Sequence, residues 1–223
     1  MKTLNRFVRD FPKSEKSANV YYWRGVLHQQ GGENAGAGKD LQKALDLGLE
    51  ALAEEASFRL GVVLKNLDKP EEAADIFQPL LNSQLRNQFT PGLLQWLAEY
   101  RYSKGEHEEC AQAARALLAS ASEDSRQQTG WSLLGRSFMA QGNAEAAASA
   151  FRRALKRKAD TRFGAEAALR LAALLLEEDK AADAMEYYER AADVSEGDSM
   201  MGIRASAYAG MGRAARALDQ HAR

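Results

Sequence analysis

A small residue returns at a near-constant interval along this chain: Gly25, Gly61, Ala98, Gly135, Ala172 and Ala205 lie 36, 37, 37, 37 and 33 residues apart. A second series twelve residues further on, Ala37, Ala73, Cys110, Ala147, Ala184 and Ala217, keeps the same interval. Self-similarity at such a period marks a solenoid, in which each unit packs only on its neighbours; a unit of this length holds two short helices. The small residues have a physical purpose. Where two helices of a hairpin cross, their backbones approach closely, and a larger side chain at Gly135 would overpack the crossing at a cost of about 1–3 kcal/mol.

Apolar residues at helical spacing accompany each small pair and build the stripes that hairpins bury. The fourth unit shows this best, with Trp131, Leu134, Gly135, Phe138, Gly142, Ala147, Phe151 and Ala154. The second contributes Leu60, Gly61, Leu64, Ala73, Phe77 and Leu80, and the fifth Leu171, Ala172, Leu175, Ala184, Tyr188 and Ala191. The pattern resembles the tetratricopeptide repeat, with units about three residues longer than that family's usual 34. Units one and three depart from it: Arg24 stands where a leucine is expected, and Arg101 and Ala114 stand where larger apolar groups are usual. The resemblance implies an all-α fold, a right-handed superhelical solenoid of antiparallel helix hairpins. One array over residues 1–223 is expected, with hairpins at 17–50, 53–87, 91–120, 126–158 and 162–194, the end of a preceding repeat at 1–12 and a truncated sixth hairpin at 198–223, about 13 helices in all.

Local signals place the turns. Gly32, Gly105, Gly142 and Gly212 fall between the helices of successive hairpins, and Asp68 takes that place in the second, where it is expected to cap a helix with Pro70 in its first turn. Thr90 before Pro91 reads as a cap followed by a proline at the first helical position, and 87–91 and 120–124 read as junctions between hairpins. Pro79 is expected to remove a backbone donor and bend its helix near Asp75. Leu4, Phe7 and Pro12 fit the close of an earlier repeat, and Ala205, Tyr208, Gly212 and Ala217 the start of a sixth. Both ends are therefore read as cut from a longer protein, with apolar surface that favours self-association or fraying.

Composition narrows the function. No run approaches the roughly 18 apolar residues of a membrane span. Cys110 is the sole cysteine, reads as a small buried hydrophobe, and with His107 lacks the repeated ligand spacing of a metal site. No phosphate-cradling loop, nucleophile elbow or His-Glu-x-x-His helix is present, and the acid pairs Glu71-Glu72, Glu108-Glu109 and Glu177-Glu178 read as solvated helix faces. No metal, no cofactor and no catalysis are expected. Arg152, Arg153, Lys156, Arg157, Lys158 and Arg162 cluster against the lone acid Asp160, but a net charge of -1 argues against nucleic acid, and a solvated helix face explains the cluster.

Recognition of a protein remains. The resemblance implies that the first helix of each repeat lines a concave groove, and its groove-facing positions carry Tyr22, Val26 and Gln29, then Phe58, Val62 and Lys65, then Gln95, Glu99 and Tyr102, then Arg136 and Met139. In the fifth unit Glu166, Leu169, Ala173 and Leu176 hold the corresponding positions. Apolar anchors amid polar groups suit a peptide or helical partner, and the groove is expected to centre on Tyr22, Phe58 and Tyr102. The lysine and asparagine pair by which chaperone-tail-binding members clamp a terminal carboxylate is missing from every unit. The stretch Phe7-Val8-Arg9-Asp10-Phe11-Pro12-Lys13-Ser14 resembles an aromatic-then-proline turn frequent in bacterial envelope repeat proteins. The expectation is thus a non-catalytic scaffold in a bacterial periplasmic, envelope or secretion-associated assembly. The alternatives are an accessory domain of a larger enzyme and a cytoplasmic peptide-sensing regulator.

Overall fold

The computed structural model describes residues 1–12, 14–83, 88–157, 161–193 and 200–221. Lys13, Asn87, Lys158, Asp160 and Arg223, and the expected hairpin bounds at 87, 158, 194, 198 and 223, lie outside the described residues. Among the described residues are twelve helices and no strand. They are α1 (Lys2–Asp10), α2 (Ser17–Gln30), α3 (Asn34–Asp46), α4 (Ala53–Asn66), α5 (Pro70–Leu80) and α6 (Pro91–Ser103), then α7 (His107–Ser120), α8 (Asp124–Ala140), α9 (Ala144–Leu155), α10 (Arg162–Glu177), α11 (Ala181–Asp193) and α12 (Met201–His221). The chain forms two compact units, Met1–Phe89 and Thr90–Arg223, dividing at the junction between the second and third hairpins.

Every hairpin turn carries one residue in the left-handed region, in step with the repeat: Gly32, Asp68, Gly105, Gly142 and Asp179. Asp68, at φ 58°, therefore replaces glycine in conformation, not as the cap expected of it. Aspartate enters this region more readily than most side chains. The N-cap of α5 is Lys69, with Pro70 opening the helix.

In the first unit, α2 pairs with α3 and α4 with α5, α3 packs on α4, and α1 packs on α2 with Val8 buried. The crossings are as tight as the small residues require. A Cβ added to Gly61 would lie 2.6 Å from the Phe77 ring, and one on Gly25 would lie 2.9 Å from Leu41. Phe77 also belongs to an aromatic triad with Phe58 and Phe89, whose ring centroids lie 5.1–5.7 Å apart. Pro79 occupies the last turn of α5, which ends one residue later.

In the second unit, α6 pairs with α7, α8 with α9 and α10 with α11. Thr90 caps α6 as expected, its side chain accepting from the Leu93 amide. A Cβ on Gly135 would meet the Phe151 ring at 2.6 Å. The core runs from Ala147 and Phe151 through Leu171 and Leu175 to Tyr188, Ala207 and Ala214. Gln128, buried, ties successive hairpins together: its Nε2 donates to the Ala154 carbonyl at 3.3 Å, and its Oε1 accepts from Thr161 Oγ1 at 2.6 Å. Thr161 at the same time caps α10.

The C-terminal region corrects the expectation of a truncated sixth hairpin. No turn forms at Gly212; α12 is continuous over 21 residues. It packs on α11 and α10 through Ala207, Gly210 and Ala214, while Ala205 and Tyr208 are exposed. A Cβ on Gly210 would lie 2.2 Å from the Tyr188 ring, so glycine is what lets α12 approach α11 here. A lone helical glycine costs only about 1 kcal/mol relative to alanine, and the surrounding alanines, arginines and methionines outweigh it at Gly212. Met201 and Tyr208 remain about 60% exposed.

Candidate functional site

The first helices of the hairpins, α2, α4, α6, α8 and α10, carry the positions from which recognition is expected. In the first unit those positions are largely closed by their own neighbours. Tyr22 is 1% exposed and Val26 is buried too, so neither is free to anchor a partner. Tyr22 lies beneath a polar belt: Arg59 donates to Glu55 at 2.8 and 3.0 Å and to Gln29 Oε1 at 3.1 Å. Burial, with the adjacent Glu55 carboxylate, raises the Tyr22 phenol above its ordinary range. The Arg59 hydrogen bonds hold Glu55 below the usual carboxylate range, although burial works against them. Phe58 is engaged with Phe77 and Phe89, Val62 is half-buried and Lys65 is exposed.

The second unit brings its predicted residues together more openly. Gln95 donates to the exposed Glu99 at 2.8 Å. The Arg136 guanidinium sits 4.0 Å from the centre of the Tyr102 ring, a cation–π contact, and donates to Glu166 at 3.3 Å. Arg162 holds the other Glu166 oxygen at 2.9 Å. One turn beyond Arg136, Met139 lines an open pocket of about 280 Å³ with Leu169 and Ala173. Its polar lining comes from Arg170, Ser206 and Arg213, and Tyr188 closes it. The Tyr188 hydroxyl is buried and has no hydrogen-bond partner among the described residues.

Sequence reasoning reached Met139, Leu169 and Ala173 but missed Arg170, Ser206 and Arg213. Arg170 follows Leu169 directly, at a position the family pattern does not turn toward the groove. Ser206 and Arg213 stand seven residues apart, two turns along one helix face, which is visible only once α12 is read as unbroken. Cys110 is buried as expected, with its thiol pushed up by burial. Among the described residues no group of three or more histidine, cysteine or acidic side chains is placed to hold a metal, and no helix is long and apolar enough to cross a membrane.

Stacked helix hairpins with a left-handed turn residue recurring in register define a helical-repeat solenoid protein. Residues 132–199 match the tetratricopeptide-repeat family, and the chain shares the all-α helical-repeat fold of solved tetratricopeptide-repeat proteins. It is similar in structure to YrrB, a tetratricopeptide protein with an unusual peptide-binding site, at a TM-score of 0.58 and 16% identity over 88% of this chain and 94% of that one. It is similar also to PilF of Pseudomonas aeruginosa, at 0.50 and 20% over 92% and 90%. A tetratricopeptide repeat protein of Parabacteroides merdae matches at 0.55 and 19% over 92% and 77%. No curated protein matches the sequence significantly.

Proposed function

We propose that this chain is a non-catalytic scaffold that holds a protein segment against the first helices of its second unit, at the pocket bordered by Met139, Leu169 and Ala173. The pocket carries this reading, because it joins apolar surface for burial to polar groups that fix register, which is what a recognised peptide needs. The peptide-binding site of the similarly folded YrrB supports the same class of ligand. The centre of recognition accordingly moves from Tyr22 and Phe58 to Tyr102, Arg136 and Met139, with Gln95 and Glu99 beside them.

The test is selection of binding peptides from a random displayed library on the purified chain, followed by affinity measurements on Ala173→Gln, which fills the pocket from a half-buried position. Selected peptides should lose at least about tenfold in affinity, roughly 1.4 kcal/mol, while the melting temperature stays put. Equal affinity for both proteins would place recognition elsewhere.

The aromatic-then-proline turn at Phe7, Phe11 and Pro12 supports placing the protein in a bacterial envelope or secretion-associated assembly. Fractionation of cells expressing its gene checks this. Recovery in the cytoplasm would favour the regulator, and a catalytic domain in the same gene product the accessory role.

A further inference from the structure

The charges around the pocket are unevenly matched. Elsewhere on the first helices arginine is paired with an acid: Arg24 with Asp40, Arg59 with Glu55, Arg101 with Glu106, Arg136 with Glu166. Arg170 and Arg213 have no ion pair or hydrogen bond to any described residue, and both line the pocket. No carboxylate lines it. The nearby Glu166 on α10 is already held by Arg136 and Arg162. Tyr188 closes the pocket with a side chain 1% exposed, its hydroxyl buried out of reach. The remaining surface, from Met139, Leu169 and Ala173, is apolar.

Two unmatched guanidinium groups beside an aliphatic surface are complementary to one kind of ligand. We infer that the pocket between α8, α10 and α12 takes an internal acidic segment of a partner protein, an aliphatic side chain against Met139 and Leu169 with a glutamate or aspartate beside it between Arg170 and Arg213. The carboxylate would accept charge-assisted hydrogen bonds from the forked donors of arginine, stronger than neutral ones and strengthened further where water is excluded. An uncharged apolar segment would leave both arginines facing it without an acceptor, so the pocket discriminates against it as well as favouring the acid. The inference rests on the proposal that this pocket holds a protein segment, and adds the chemistry of what enters.

Two peptide libraries, one displayed within a loop and one with a free C-terminus, are selected on the wild-type chain and on Arg170→Gln/Arg213→Gln. The wild type should enrich glutamate or aspartate next to leucine, isoleucine or valine in the loop library. The double variant should keep the aliphatic preference and lose the acidic one. Individual wild-type binders should weaken about tenfold when their acid is changed to the amide, and this sensitivity should vanish on the double variant. Binders that need Ala173 but show no acidic preference would overturn this inference and leave the scaffold reading standing. Acidic preference that survives the double variant, or enrichment confined to free C-termini, would overturn it too, and failure of both libraries to yield binders would overturn both readings.

Discussion

Arg24 on α2 clasps Asp40 on α3 with two hydrogen bonds, Nε donating to Oδ2 at 2.6 Å and a terminal nitrogen to Oδ1, and the carboxylate is almost wholly buried. The pair stands where a leucine of the family pattern would meet the second helix. Asn5 accepts from the same guanidinium at 3.2 Å, which links it to α1, and the Asp40 carboxylate raises the Arg24 pKa further. Removing one member of a buried pair strands the other and costs about 3–5 kcal/mol, whereas replacing both by apolar residues is often neutral or better. Asp40→Leu should therefore destabilise the first unit by roughly that much, and Arg24→Leu/Asp40→Leu should recover to within about 1 kcal/mol of wild type. Denaturant unfolding of both variants checks this; simple addition of two losses would contradict it.

Gly210 and Gly212 should respond in opposite directions. Alanine at 210 would press into the Tyr188 ring and should cost about 1–3 kcal/mol by overpacking. Alanine at 212 meets nothing within 4 Å in a helix and should stabilise by about 0.5–1 kcal/mol. A loss at 212 as large as that at 210 would restore a turn in the middle of α12. Thermal melts of the two variants decide between these.

Tyr22→Ala should act on folding. Loss of a fully buried aromatic ring costs about 3–5 kcal/mol, and Tyr22 fills the space beneath Glu55, Arg59 and Gln29. An unchanged melting temperature would show that the ring is free to serve as a groove anchor after all.

The same cluster makes the first unit sensitive to pH at both extremes. Glu55 has its folded pKa lowered, so its contribution is present above the unfolded value, about 4.3, and is lost as acid brings the pH down through the folded one. Tyr22 has its folded pKa raised, so its contribution is complete below about pH 10 and is lost as the pH climbs through the higher folded value. Glu55→Gln should flatten the acid limb; an unaltered acid limb would assign that loss to other carboxylates.

The sequence makes the hairpins legible because close approach leaves few choices: Gly61 on Phe77 and Gly135 on Phe151 are steric pairs that a periodic pattern reports directly. Arg24 and Arg101 look like decay of that pattern until their partners, Asp40 and Glu106, are seen across the turn. Tyr22 shows where periodicity stops helping. It occupies a groove-facing position by helical phase, but the neighbouring hairpin covers it, and coverage by a neighbour is not written in a single helix. In α12, alanines on every side erase the contrast on which periodic reading depends, so Ala205 was as eligible for burial as Ala207. The pocket inherits that ambiguity, since Ser206 and Arg213 join it from this helix.

Methionine methyl NMR tests the central claim most directly, because Met139 lines the pocket, Met185 packs on the core from α11 and Met1 belongs to the first unit. On titration with a library-selected peptide, the Met139 methyl signal should shift in step with binding while those of Met1 and Met185 hold still. Binding that leaves Met139 unmoved and shifts Met1 or Met185 would contradict a recognition site at this pocket.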